Sequence, residues 1–88
     1  MVIMPYSWIL GKKATTELED LPKEIQIRII EKLDKSKVSP FKYFIRLKGR
    51  TDYKLRVGHY RALADINTKE LRIEVTKVGH RKDVYKRS

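Results

Sequence analysis

The sequence predicts an α+β fold: a small antiparallel β-sheet, made of a C-terminal three-stranded meander and an N-terminal strand, packed by an N-terminal helical hairpin. Three observations predict it. Apolar residues recur at helical spacing between Thr15 and Lys37; they alternate with polar ones from Tyr53 to Val75; and Gly58-His59 interrupts that alternation as a two-residue turn does. At 88 residues the chain has room for one core, so a single domain over 1–88 is expected.

The elements follow in order. Pro5-Tyr6-Ser7-Trp8-Ile9-Leu10 is short, aromatic and β-prone, and Gly11 closes it. Ala14, Leu18, Leu21 and Ile25 then recur at three- or four-residue steps, and Ile29 and Leu33 extend the stripe with Ile30 beside it. Pro22 divides this run into two helices, because proline suits a first helical position and drives Leu21 out of the helical region. Acidic Glu17, Glu19 and Asp20 precede Pro22, and Lys35 and Lys37 end the second helix, as the macrodipole favours. Val38-Ser39-Pro40 stops it. Phe41 to Lys48 fits a short helix or an irregular strand, and the pattern does not choose between them.

After Gly49 the period is two. A type II′ turn at Gly58-His59 pairs Val57 with Tyr60, Leu55 with Ala62 and Tyr53 with Ala64. Pairing Ile66 with Leu71, Ala64 with Ile73 and Ala62 with Val75 keeps every apolar residue of the next hairpin on the same face. The opposite face then sets Arg56 directly across from Arg61, with Lys54 two residues along, while Asp65 falls opposite Arg72. At about 5 Å two unit charges repel by roughly 0.8 kcal/mol in water and about 3 kcal/mol at an effective dielectric of 20. An anion bridging the two guanidinium groups turns that repulsion into attraction; the alternative is that both arginines splay into solvent. In this register Val78 lies across from His59, which brings Arg81 toward Arg56 and Arg61, with His80 and Tyr85 nearby.

Charge and composition narrow the partners. The 21 Lys+Arg and 11 Asp+Glu give a net charge of +10, of which residues 1–41 carry +1 and residues 42–88 carry +9. Such asymmetry points to a polyanion, with nucleic acid first, an acidic protein second and a merely solubilising surface as the bland alternative. With no cysteine and only His59 and His80, a disulfide scaffold, a thiolate site or a histidine-rich zinc site is not expected, so no metal or cofactor is assigned. The apolar stretch Val2 to Leu10 is broken by Pro5 and Ser7, falls short of the roughly 20 residues of a membrane span and lacks a basic leader, so a cytoplasmic protein is expected. A cationic cluster of Lys54, Arg56, Arg61 and Arg81 suits phosphate chemistry on RNA, which carries its own 2′-hydroxyl nucleophile. A lysine crowded by arginines can act as base, and a tyrosine or histidine can protonate the leaving oxygen.

Tyr53-Lys54-Leu55-Arg56-Val57-Gly58-His59-Tyr60-Arg61, followed by Val78-Gly79-His80-Arg81 and Asp83-Val84-Tyr85, resembles the RelE toxins of the RelE/ParE superfamily. Leu21-Pro22-Lys23-Glu24-Ile25 and Leu47-Lys48-Gly49 also fit, so the resemblance runs from Trp8 to Arg87. It implies a microbial-ribonuclease-like RelE fold, metal-independent cleavage of mRNA in the ribosomal A site with a 2′,3′-cyclic phosphate product, and inhibition by a RelB-type antitoxin. By position, Lys54 and Arg56 match the basic strand residues that activate the 2′-hydroxyl, Arg61 and Arg81 the phosphate-stabilising arginines, and Tyr85 the terminal tyrosine that acts as acid/base or stacks on a base. Lys48, Arg50, Lys82 and Lys86 are the further residues expected to bind RNA phosphate. Two positions depart from the pattern. Arg56 stands where the best-known members carry lysine, and arginine is a poor general base. The interval from Arg81 to Tyr85 is shorter than in some members, which makes His80 a candidate substitute. Two other classes compete: a ParE-like inhibitor of DNA gyrase without nuclease activity, and a non-enzymatic RNA-binding module.

Overall fold

A computed structural model describes residues 4–85. Eight elements follow in order: β1 (Ser7–Leu10), α1 (Lys12–Glu19), α2 (Lys23–Ser36), α3 (Pro40–Tyr43), β2 (Phe44–Arg46), β3 (Tyr53–Val57), β4 (Tyr60–Asn67) and β5 (Arg72–His80). The strands form one five-stranded sheet in the order β1-β5-β4-β3-β2. The sheet is mixed, because β1 runs parallel to β5 while the other pairs are antiparallel.

The helical hairpin forms as its stripe requires. Ala14 and Leu18 of α1 and Ile29 and Leu33 of α2 pack with Leu55, Val57, Ala62, Ala64, Ile73, Val75 and Val78 in one buried cluster. The first helix starts at Lys12, three residues earlier than the apolar stripe suggests, and the Thr15 hydroxyl donates back to the Gly11 carbonyl at 3.0 Å. Pro22 stands just before α2 with extended backbone (φ −54°, ψ 143°), outside rather than inside the first turn. The Gln26 amide donates to the Leu21 carbonyl at 2.8 Å, which satisfies a group left open between the helices. Trp8 Nε1 donates to Asp34 at 2.7 Å, tying β1 to α2 and holding the Asp34 carboxyl below its usual range. Residues 41–48, ambiguous in sequence, are both things in succession: Pro40 opens a single turn of helix, and β2 follows at once.

The β3–β4 register is the expected one: Val57 pairs with Tyr60, Leu55 with Ala62 and Tyr53 with Ala64. Gly58 has a φ of +59°, as the first central residue of a II′ turn requires. The β4–β5 register differs from expectation. Ile66 pairs with Ile73, Ala64 with Val75 and Ala62 with Val78, with a bulge between Leu63 and Ala64. Two local features cause this. Asn67 opens the turn by accepting the backbone N–H groups of Lys69 and Glu70 at 3.0 and 2.9 Å, and Leu71 takes a positive φ of 53°, so the loop is 68–71. The bulge then inserts one residue on β5, so that Val75 and Val78, three apart, face the same core.

The edges of β3 and β5 are closed by helix side chains. Val78 points its N–H away from β4, beyond the point where β1 ends, and Glu17 of α1 accepts it at 2.9 Å. Arg56 likewise points its carbonyl away from β4, beyond the end of β2, and Lys32 of α2 donates to it at 2.7 Å.

The altered register also overturns the expected pairing of Asp65 with Arg72: Asp65 faces Glu74, and Arg72 faces Asn67. Partial burial, then the charges of Asp52 and Glu74, raise the Asp65 carboxyl above its usual range. A carboxyl raised in the folded state binds its proton more tightly there than in the unfolded chain, so the ionised form weakens folding at neutral pH. That cost is relieved as pH falls through the folded value toward the ordinary one near 3.9. Asp65 is largely exposed, so screening keeps the effect small. Asp65→Asn is expected to stabilise the protein at pH 7 by about 0.5 kcal/mol, and urea denaturation at stepped pH should show the gain vanishing in acid.

Candidate functional site

The site is built on the β3–β4 turn. A two-residue turn closes on a hydrogen-bonded pair, Val57 with Tyr60, so the next pair, Arg56 with Arg61, is the non-hydrogen-bonded kind whose side chains lie closest. Both residues share the face turned away from the helices. Arg61 is only 9 % exposed, and its Nη1 donates to the carbonyls of Gly58 at 2.9 Å and Tyr60 at 2.8 Å. These bonds fold the guanidinium back over the turn. Among the described residues, the ion pairs between side chains are Lys37–Asp34, Arg50–Asp52 and Arg72–Glu70, none of them at this turn. Among the described residues this buried cation is bonded by carbonyls alone and has a second arginine across the strand, an arrangement whose charge an anion would neutralise.

Lys54 is half-buried on the same face, two residues before Arg56 and opposite Leu63. Arg81 reaches the turn by a different route from the one expected. Val78 lies across from Ala62, not His59, but the ladder continues past β5, and the Arg81 N–H donates to the His59 carbonyl at 2.8 Å. Strand alternation puts Arg81 on the face of Gly79, the register partner of Arg61. The chain then turns on the His80 carbonyl, which accepts the N–H groups of Asp83 at 2.8 Å and Val84 at 2.9 Å. Val84 is 1 % exposed and lies over Gly79, where an added Cβ would come within 3.9 Å of it. That contact presses the C-terminal turn onto the arginine face and leaves Tyr85, 40 % exposed, beside it.

Other expected residues are placed elsewhere. His80 pairs with Tyr60 and so faces the helix side of the sheet. Its ring meets Tyr60 edge-on at 5.5 Å and stacks on His59 at 6.3 Å, and its Nδ1 accepts the Lys82 backbone N–H at 3.2 Å. Lys48 and Arg50 lie in the loop before β3, at the far end of that strand, roughly 15 Å from the turn. Arg50 is moreover occupied by a bidentate pair with Asp52 at 2.8 and 2.9 Å. Lys82 is exposed in the C-terminal turn, and Lys86 lies outside the described residues. Two cations that the sequence reading passed over stand at the turn: Lys32, through the Arg56 carbonyl, and Arg28, whose guanidinium lies 3.3 Å from where a Gly58 Cβ would be. Their spacing beside the α2 apolar stripe is visible in the sequence, but the long-range contact is not.

With this geometry in view, comparison with known proteins is informative. The fold is RelE-like. It superposes on the RelBE2 toxin–antitoxin complex of Mycobacterium tuberculosis with a TM-score of 0.79 at 22 % identity, covering 88 % of this chain and 99 % of that one. The archaeal RelE–RelB complex of Pyrococcus horikoshii gives 0.76 at 28 % identity, covering 92 % and 100 %. The RelB–RelE complex of Methanococcus jannaschii gives 0.67 at 29 % identity, covering 88 % and 94 %. No curated protein matches in sequence. Residues 9–85 match the family model described as the ParE toxin of the type II toxin–antitoxin system parDE. The chain belongs to the RelE/ParE superfamily of type II toxins.

The turn that aligns Arg56 with Arg61 depends on a backbone conformation that costs an L-residue about 1–2 kcal/mol. Gly58→Ala should therefore lower the unfolding free energy by that amount, read as a lower urea midpoint at unchanged slope, since the Arg28 guanidinium can swing away and the backbone cannot. An unchanged midpoint would contradict the positive φ at this position.

Proposed function

We propose that this chain is a toxin that cleaves mRNA in the ribosomal A site, acting in the cytoplasm as a metal-independent endoribonuclease, and that a RelB-type antitoxin inhibits it. The observation that carries the reading is Arg61: a nine-tenths-buried guanidinium with no carboxylate partner among the described residues, opposed by Arg56 and followed along the same face by Arg81. A scissile phosphate placed between these residues relieves their mutual repulsion, and the stabilisation grows as charge builds on the phosphoryl oxygens in the transition state. The substrate 2′-oxygen attacks phosphorus, the bond to the 5′-oxygen breaks, and a 2′,3′-cyclic phosphate and a 5′-hydroxyl result. The proton lost from the 2′-hydroxyl passes to a base, for which Lys54 is the candidate, since a guanidinium is a poor general base. Tyr85, exposed beside the arginine face, is the candidate to protonate the leaving oxygen or to stack on a base. His80 faces the other side of the sheet and does not fit that role.

A second reading, inhibition of DNA gyrase without RNA cleavage, is favoured by the ParE model that the sequence matches. The cationic face favours the first. The relatives solved as complexes with RelB support an antitoxin partner. A net charge of +10 suits an acidic segment that folds on binding, covering or displacing the turn around Tyr85.

Primer extension on a translated message should reveal cuts within codons that require ribosomes. Arg61→Ala and Arg81→Ala should each reduce cutting by about 100-fold, the cost of losing one transition-state donor, with unchanged circular dichroism. Cutting by both variants at the wild-type rate would remove the site, and inhibition of purified gyrase without any RNA cleavage would establish the second reading.

A further inference from the structure

On the helix side of the β3–β4 turn a cleft of about 350 Å³ opens between α2 and the hairpin, lined by Arg28, Lys32, Lys35, Tyr43 and Gly58. The three cations are spaced i, i+4, i+7, so they form one row along α2, about 5–6 Å from one to the next. Lys32 is fixed by its 2.7 Å bond to the Arg56 carbonyl, and the Arg28 guanidinium lies against Gly58. None of the three belongs to an ion pair among the described residues, although Glu31 also lines the cleft. A row of three cations with one carboxylate, a net charge of +2, therefore meets the arginine face across a turn whose leading residue has no side chain to separate them.

We infer that this cleft is a second phosphate-binding track, which holds the RNA backbone on one side of the scissile phosphate as the strand passes over Gly58 from the arginine face to the helix face. The inference rests on the RNA reading above and extends its substrate site. The spacing of the cations suits successive phosphates of one strand, and the Tyr43 side chain, with the Lys42 ammonium 5.9 Å from its ring centre, forms part of the cleft wall. Continuity with Arg56 through Lys32 favours the substrate over an acidic protein segment, which has no reason to be in register with the reacting phosphate. Contacts of this kind are independent of sequence and sensitive to salt.

The test uses the full chain and a labelled 2′-O-methyl RNA of about 12 nucleotides, long enough for a strand-binding site and blocked against 2′-oxygen attack. Arg28 and Lys35 are exposed, so the Arg28→Gln/Lys35→Gln double variant should fold with an unchanged melting temperature. Its affinity by fluorescence anisotropy should fall about tenfold, and the slope of log K against log salt should decrease by about 1.4, or 0.7 for each lost single-strand phosphate contact. Arg61→Ala serves as the reference for the primary site. Loss of affinity in Arg61→Ala with an unchanged slope in the double variant overturns the track and leaves the RNA reading standing. Absence of RNA binding by the wild type overturns the track, and the RNA reading is then decided by primer extension with ribosomes present. A double variant that loses affinity for poly-glutamate but not for the RNA assigns the cleft to an acidic protein and overturns the proposal.

Discussion

The candidate site depends on a two-residue turn that sets two arginines directly across from each other. The Gly58-His59 turn has two residues, so Val57 must pair with Tyr60 and Arg56 must then pair with Arg61. No slip of one residue is available, because it would turn either Leu55 and Val57 or Ala62 and Ala64 out of the core. The hydrophobic effect acting on those side chains outweighs a repulsion of order 1 kcal/mol between two partly solvated charges. The core on one side of the sheet thus fixes two arginines at opposed positions on the other side.

The helices stabilise the same hairpin in a second way. A sheet built from strands of unequal length leaves backbone groups unpaired where a neighbour ends. Here the Val78 N–H is taken by Glu17 and the Arg56 carbonyl by Lys32, each from a helix and each beyond the end of an outer strand. The signs are not interchangeable, since an N–H needs an acceptor and a carbonyl a donor. A lysine therefore belongs beside Arg56, and the cationic character of the site extends to the helix side for reasons of backbone pairing.

The extent to which this was legible in the sequence follows from the range of each interaction. The β3–β4 register was legible because a glycine turn and two alternating runs determine it locally. The β4–β5 register was not: its loop is set by an Asn67 side chain and a positive φ at Leu71, and its later part by a bulge that pattern-matching at period two passes over. The Val75–Val78 interval was the one visible trace of that bulge. Arg81 was expected at the turn from a register that proved wrong, and reaches it because the correct register extends the ladder to His59. His80 illustrates the converse, for a shift of pairing parity moves a side chain to the opposite face. The parallel pairing of β1 with β5 and the approach of Arg28 to Gly58 join residues distant in sequence, and no local pattern encodes them.

The C-terminal turn shows how closely stability and chemistry are joined in so small a protein. Leu63 is 1 % exposed although it lies on the arginine face, and Val84, also 1 % exposed, covers the same face at Gly79. Both stand apart from the main core. Burying a valine contributes about 1.5 kcal/mol, enough to hold a five-residue turn against the sheet and little enough for a binding partner to overcome. Gly79, over which Val84 lies, is the register partner of Arg61. The segment that carries Arg81 and Tyr85 is therefore anchored beside the buried Arg61, so the packing of one valine and the placing of both residues are a single physical event.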